Sequence, residues 1–214
     1  MYICVISDGG TVTRIHVIGP PGSGKSTLAQ RLASLLDVPY YELDSFAWEE
    51  GYQGTDRPLT ARLHDVHDIA TQPGWVTEGI FLFWTDELLR TADYIVWLDM
   101  PWYVIIPRLL RRRLDWMRSD LGDLTPPTNP FRQLQLLKHI AVYYLSRMHT
   151  NTRAFTFRYL MAHKEKLTHC RHSSEAETFF KRIQTQEQAS KNRAQALEQA
   201  SKNHAQEQSC MVGR

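Results

Sequence analysis

Short runs rich in β-branched and aromatic residues alternate along this chain with longer stretches whose apolar residues recur at helical spacing. Residues 14–18 read as a buried strand. From 25 to 36, Leu28, Leu32, Leu35 and Leu36 mark one face of a helix. Short strands are predicted near 39–43, at 75–77 and at 94–98, the last bounded by Pro101. Residues 60–70 and 85–90 have helical character between them. Strands alternating with helices predict an α/β domain with a parallel sheet covered on both faces.

Past Pro101 the pattern turns helical and basic, with Arg108, Arg111, Arg112, Arg113 and Arg118. Residues 122–130 interrupt it as a proline-containing loop. Residues 134–148 and 155–166 predict further helices, and 167–170 a last short strand. Ser174 with Glu177 forms a capping box opening the helix that carries Phe179, Phe180 and Ile183. At the other end, Asp8-Gly9-Gly10 between two β-prone runs, 2–7 and 12–18, predicts an N-terminal β-hairpin.

After Arg182 the composition changes. EQASKN occurs at 187–192 and again at 198–203, an eleven-residue repeat that keeps similar residues on one helical face. That face offers mostly alanine with a single Leu197, too little to order itself. The expected organisation is a domain over 1–183, its lid region at about 108–150, and a low-complexity tail over 184–214, a frayed helix or disordered.

Hydrophobic residues at 43% and charged residues at 22% fit an ordinary globular protein. A net charge of +2 does not by itself imply a nucleic-acid or membrane partner. The three cysteines, Cys4, Cys170 and Cys210, are scattered without metal or redox spacing, which suits a reducing cytoplasm. MYICVIS runs straight into Asp8 with no basic segment before it, so it does not read as a leader. A cytoplasmic protein is expected, a monomer or weak dimer, with no membrane partner and no clear nucleic-acid module.

The chemistry is concentrated at Gly19-Pro20-Pro21-Gly22-Ser23-Gly24-Lys25-Ser26, which matches GxxxxGK[ST] in full. It follows a predicted strand and opens a predicted helix, with Thr27 next in line. The glycines let the backbone N–H groups curl around phosphate oxygens, and the helix dipole adds to the anion site. Lys25 supplies charge to the β/γ-phosphates, and the Ser26 hydroxyl is a magnesium ligand. The expected ligands are ATP and Mg²⁺.

Asp44, just after the second strand, is placed at the carboxyl edge of the sheet, where ligands gather. It would orient an acceptor hydroxyl or hold magnesium through water; a turn or N-cap aspartate is the alternative. Glu78 ends the third strand at the same edge and is a candidate magnesium residue. Asp99 ends the fourth, where it caps or braces the following turn. Arg108 and Arg112 share a helical face and suit a lid that closes over phosphate, the alternative being a solvated face. Trp48, Tyr52, Arg57 and His64 are candidates to line an acceptor pocket.

IHVIGPPGSGKSTLAQRLA, YYELDSFAW, GWVTEG, YIVWLDMPW followed by RLLRRRL, and CRHSSEAETFF together resemble the adenylate-kinase-like proteins, over roughly residues 14–183. The subgroup they resemble most is the one called DNA topology modulation proteins. The resemblance implies a three-layer P-loop NTPase fold with sheet order 2-3-1-4-5, a helical lid and ATP–Mg²⁺ as donor. It implies that Lys25 and Ser26 take the P-loop roles and Asp44 the substrate-side carboxylate. Arg108 and Arg112 would be lid arginines, and Arg171 would lie near the base. The chain departs from the pattern at Glu78-Gly79-Ile80, where Asp-Gly-Asn is common. The function expected is ATP-dependent phosphoryl transfer to a small-molecule acceptor, a nucleotide or a hydroxyl compound. A nucleotide-binding regulatory protein or slow ATPase, acting with a nucleic-acid or protein partner, is the alternative.

Overall fold

Strand β1 (Arg14–Ile18) can sit in the middle of a sheet because Ile15, Val17 and Ile18 bury completely on alternating sides. In a computed structural model that describes residues 13–49, 55–119, 141–145 and 152–212, it does so. The chain continues through α1 (Lys25–Leu36), β2 (Tyr40–Glu42), α2 (Asp44–Ala47), α3 (Leu59–Ala70), β3 (Trp75–Gly79), α4 (Asp86–Thr91) and β4 (Tyr94–Leu98). Then come α5 (Trp102–Ser119), a helical stretch at 141–145, α6 (Arg153–Leu160), a 3-10 turn (Met161–His163), β5 (Leu167–Cys170) and α7 (Ser173–Val212). The strands are all parallel, in the order β2-β3-β1-β4-β5.

Alternation along the strands divides the core into two layers. Ile15, Val17, Val76, Val96 and Leu98 pack against Leu28 and Leu32 of α1, Ile105 of α5, and Phe179 and Ile183 of α7. On the opposite face, Ile18, Trp75, Ile95 and Trp97 meet Val66 and Ile69 of α3, Leu88 and Leu89 of α4, and Leu160 of α6. The expected three-layer α/β architecture is thus present. Register places the carboxyl ends of β1 and β3 side by side, with Val17 opposite Glu78 and Ile18 opposite Gly79.

Local details differ from the sequence reading where tertiary pairing intervenes. The helix expected over 155–166 starts at Arg153 and ends at Leu160, because the chain then turns through residues 161–166 to enter β5 at Leu167, where the Lys166 carbonyl accepts Ile95 N–H at 2.9 Å. The cap of α7 is made by Glu175, whose Oε2 accepts from the backbone N–H groups of Arg171 and His172 at 2.5 and 3.0 Å. Glu177, expected in that role, instead binds Arg31 of α1. The segment over 184–212 is helical and continuous with α7. The predicted hairpin arm over residues 2–7, the loop at 122–130 and most of the 134–148 helix lie outside the described residues. No helix among the described residues is long and apolar enough to cross a membrane.

Candidate active site

The turn from β1 into α1 needs backbone conformations that side chains resist. Gly22 and Gly24 have φ of 79° and 95°, both left-handed. Gly19 is held against β4: a Cβ there would lie 2.9 Å from the Leu98 carbonyl oxygen and 2.8 Å from Ser23 Oγ. Its N–H donates to the Gly79 carbonyl at 3.2 Å, which ties the loop to the end of β3. Pro20 closes a turn by accepting from Ser23 N at 3.2 Å, and Pro21 is half-buried beside it. Helix α1 then opens at Lys25, so its first N–H groups and its positive dipole end face the loop.

Glu78 organises the polar centre. Its side chain is fully buried, and Oε1 accepts from Ser26 Oγ at 2.8 Å and Tyr40 OH at 3.3 Å. Lys25 Nζ lies 2.9 Å from Oε2. That contact is an ion pair without hydrogen-bond angles, so Oε2 retains accepting capacity, and buried Ser23 Oγ has no partner among the described residues. Asp44 begins α2, half-buried, within electrostatic reach of Lys25 and Glu78. Desolvation pushes its carboxyl above the usual range; Lys25 opposes that, while Glu78 and Glu42 add to it. Burial first, then the charges of Glu78 and Glu42, raises the Tyr40 phenol, keeping it a neutral donor.

The predicted cations divide. Arg108 reaches the loop, its Nη1 donating to the Ser23 carbonyl at 3.3 Å and its Nη2 to Ser173 Oγ at 2.8 Å. Arg112 is exposed one turn further along α5, and Arg171 is exposed in the turn before α7. Arg108, Gly22, Gly24, Thr27, Met100 and Ala176 are among the residues lining an open cavity of about 350 Å³ next to the loop. Of the acceptor candidates, Arg57 is held by Asp65 at 2.6 Å and the Phe46 carbonyl at 3.2 Å. His64 is exposed and pairs with Asp68 one turn away at 3.1 Å. Trp48 is half-buried, and Tyr52 lies outside the described residues.

Two groups of residues escaped the sequence reading. Tyr40 begins an edge strand, and only the register of β2 against β3 brings its hydroxyl to Glu78. Asp99, expected to cap or brace a turn, is fully buried and holds Arg153 and His169. Arg153 is 54 residues away and His169 70, so no local signal joins them. Cys170 is buried with its thiol pushed up to about 11, hence protonated and inert, and no metal-type cluster occurs among the described residues.

A family model for the ATPase family associated with various cellular activities (AAA) matches residues 15–76, the span from β1 to β3. The chain is 34% identical over 121 residues to the cytidylate kinase of Aeropyrum pernix, covering 50% of this chain and 69% of that one. It belongs to the adenylate-kinase-like P-loop NTPases. An adenylate kinase of a Synechococcus strain is 26% identical over 136 residues, covering 51% of this chain and 70% of its own length. The YqaC protein of Bacillus subtilis is 27% identical over 99 residues, and the match spans 46% of this chain and about half, 55%, of YqaC. The geometry is consistent with an adenylate-kinase-like protein: a nucleotide-binding loop at the central strand, with carboxylates from two neighbouring strand ends beside it.

Proposed function

We propose that this adenylate-kinase-like protein is a small-molecule kinase that moves the γ-phosphoryl group of Mg·ATP to a small acceptor, a nucleotide or a hydroxyl compound. The observation that carries the reading is the convergence of Lys25, Ser26 and Asp44 on the buried Glu78 carboxylate at the mouth of the loop. Ser26 Oγ and the accepting capacity left on Glu78 Oε2 fit a hydrated magnesium ion, so these two residues would hold it. When bound, the ion would offset charge on the β- and γ-phosphate oxygens.

The chain's own residues do the rest by position. The Gly22–Gly24 backbone curls N–H groups around phosphate, with Thr27 in the first turn of the helix. Lys25, buried and short of hydrogen-bond geometry to Glu78, can turn its ammonium from the carboxylate to a phosphate oxygen. Asp44 orients an acceptor hydroxyl. Its burial raises proton affinity, which suits it to take the proton that leaves as the new P–O bond forms and the bond to ADP breaks. Arg108 stands over the loop where negative charge would build up, with Arg112 exposed on the same helix and Arg171 exposed in the turn before α7. The scattered cysteines and the need for Mg·ATP suit a cytoplasmic setting.

ADP release from Mg·ATP, measured across nucleoside monophosphates, nucleosides and small hydroxy acids, tests this. One acceptor should stimulate turnover, and Lys25→Ala should lower it by about 100-fold or more. A thermal melt of the variant must accompany the assay, since Glu78 loses its countercharge. No stimulation by any acceptor, with ATP still bound, would remove the kinase reading.

A further inference from the structure

Tyr40 opens the edge strand β2, with its ring half-buried against the apolar layer that α1 covers. A phenylalanine ring would fill the same space, so the hydroxyl needs a reason of its own. It donates to Glu78 Oε1 at 3.3 Å. The phenol oxygen is in turn hydrogen-bonded by the Gln30 side chain. Gln30 lies about one turn along α1 from Ser26, whose hydroxyl donates to the same Oε1 at 2.8 Å. Helix α1 and strand β2 thus each place one donor on a single oxygen of a fully buried carboxylate.

The two donors do not have the same future once nucleotide enters. Lys25 Nζ, 2.9 Å from Oε2, supplies the countercharge of Glu78. In the reading above, Lys25 turns to a phosphate oxygen and Ser26 Oγ becomes a metal ligand. The carboxylate then loses one partner, and the second is shared with the cation. Tyr40 is the Glu78 partner that neither phosphate nor metal takes in that reading. A carboxylate held by one shared donor can swing, whereas a second donor on Oε1 fixes its plane. Oε2 then stays in place, and it has no hydrogen-bond donor among the described residues.

We propose that Tyr40 is a positioning residue for the metal, its hydroxyl holding the Glu78 carboxylate so that Oε2 remains available to the hydrated magnesium ion of the bound nucleotide. This rests on the Mg·ATP reading of the loop and adds to it a residue that touches neither phosphate nor metal.

The probe is β,γ-imido-ATP, titrated by calorimetry with Mg²⁺ present and with the metal removed by EDTA. Wild type should bind it more tightly with Mg²⁺. Tyr40→Phe removes the oxygen and keeps the ring. Its metal-free affinity should stay within about twofold of wild type, while the tightening by Mg²⁺ falls about 10-fold, the order of one hydrogen bond to a charged group. Tyr40→Leu, which also lacks the ring, should lose the same share of the tightening. A merely structural role in packing β2 against α1 would weaken both states alike. Full tightening in Tyr40→Phe, equal weakening with and without the metal, or a loss in Tyr40→Leu that Tyr40→Phe does not share overturns the proposal. If wild type binds the nucleotide no better with Mg²⁺, the metal role of Ser26 and Glu78 fails and this proposal with it, while nucleotide binding by the loop stands. If wild type binds it in neither state, the nucleotide reading itself falls and takes this proposal with it.

Discussion

At the scale of single residues, the molecule tolerates buried polar groups where the site or the central strands need them. Glu78 is the clearest instance, its charge matched by Lys25 and its Oε1 by Ser26 and Tyr40. His16 is another, fully buried on β1 with Nδ1 2.7 Å from Thr77 Oγ1 and Nε2 without a partner among the described residues. Burial lowers its pKa from 6.5 to about 4. The folded pKa lies below the unfolded one, so protons favour the unfolded chain. The stability linked to neutral His16 is complete above pH 6.5 and drains away as pH falls toward 4. Between pH 7 and pH 5 the His16 share of that loss should be about 2 kcal/mol. Urea titrations of wild type and His16→Gln at the two pH values measure it, since glutamine does not titrate. Equal acid losses in the two proteins would show that His16 carries none of the linkage. The residue-level site was partly legible in advance. Lys25, Ser26, Asp44, Glu78 and Arg108 sit at or beside the loop, because motif spacing and strand ends constrain them locally. Arg112, Arg171 and His64 are exposed, because neither a helix face nor a turn announces its neighbours.

At the scale of elements, most boundaries follow from local pattern, and exceptions follow from contacts made at a distance. Helix α1 ends at Asp37, in the left-handed region at φ 54°, with Val38 N–H donating to the Ala33 carbonyl. Helix α6 depends on one cap. Thr152 is fully buried and its hydroxyl accepts from Phe155 N–H, so Thr152→Ala should cost about 1 kcal/mol while Thr152→Ser costs much less. Chemical denaturation separates these; equal losses would mean that the threonine methyl, rather than the hydroxyl, is what matters there. The capping box read at Ser174 and Glu177 failed as a local inference because Arg31, 146 residues away, takes Glu177 with two hydrogen bonds and stacks 4.0 Å over the Phe180 ring. Glu175 then caps the helix in its place.

At the scale of the whole molecule, α1, α5 and α7 form one layer and α3, α4 and α6 the other, and the sheet between them presents its carboxyl edge to the site. Helix α7 contributes to that core through Phe179 and Ile183, and Glu187 is the last buried residue described along it. From Gln188 to Asn203 the described side chains are exposed, apart from half-buried Ser190 and Ala194. Truncation after Ala194 should therefore change unfolding free energy by no more than about 0.5 kcal/mol. A larger drop in a thermal or urea melt would show that the repeated segment is part of the folded unit. The sequence by itself determined the phosphate loop, the alternation of strands and helices, and the carboxylates at strand ends, because each of these is written within a few residues of chain. Only the tertiary structure decided which long-range partners meet. The parallel register brings Tyr40 to Glu78, packing turns Arg31 to Glu177, and the return of the chain after residue 150 delivers Arg153 and His169 to Asp99. Those pairings join residues 38 to 146 positions apart, and their geometry is set by how layers pack around the sheet rather than by any local preference.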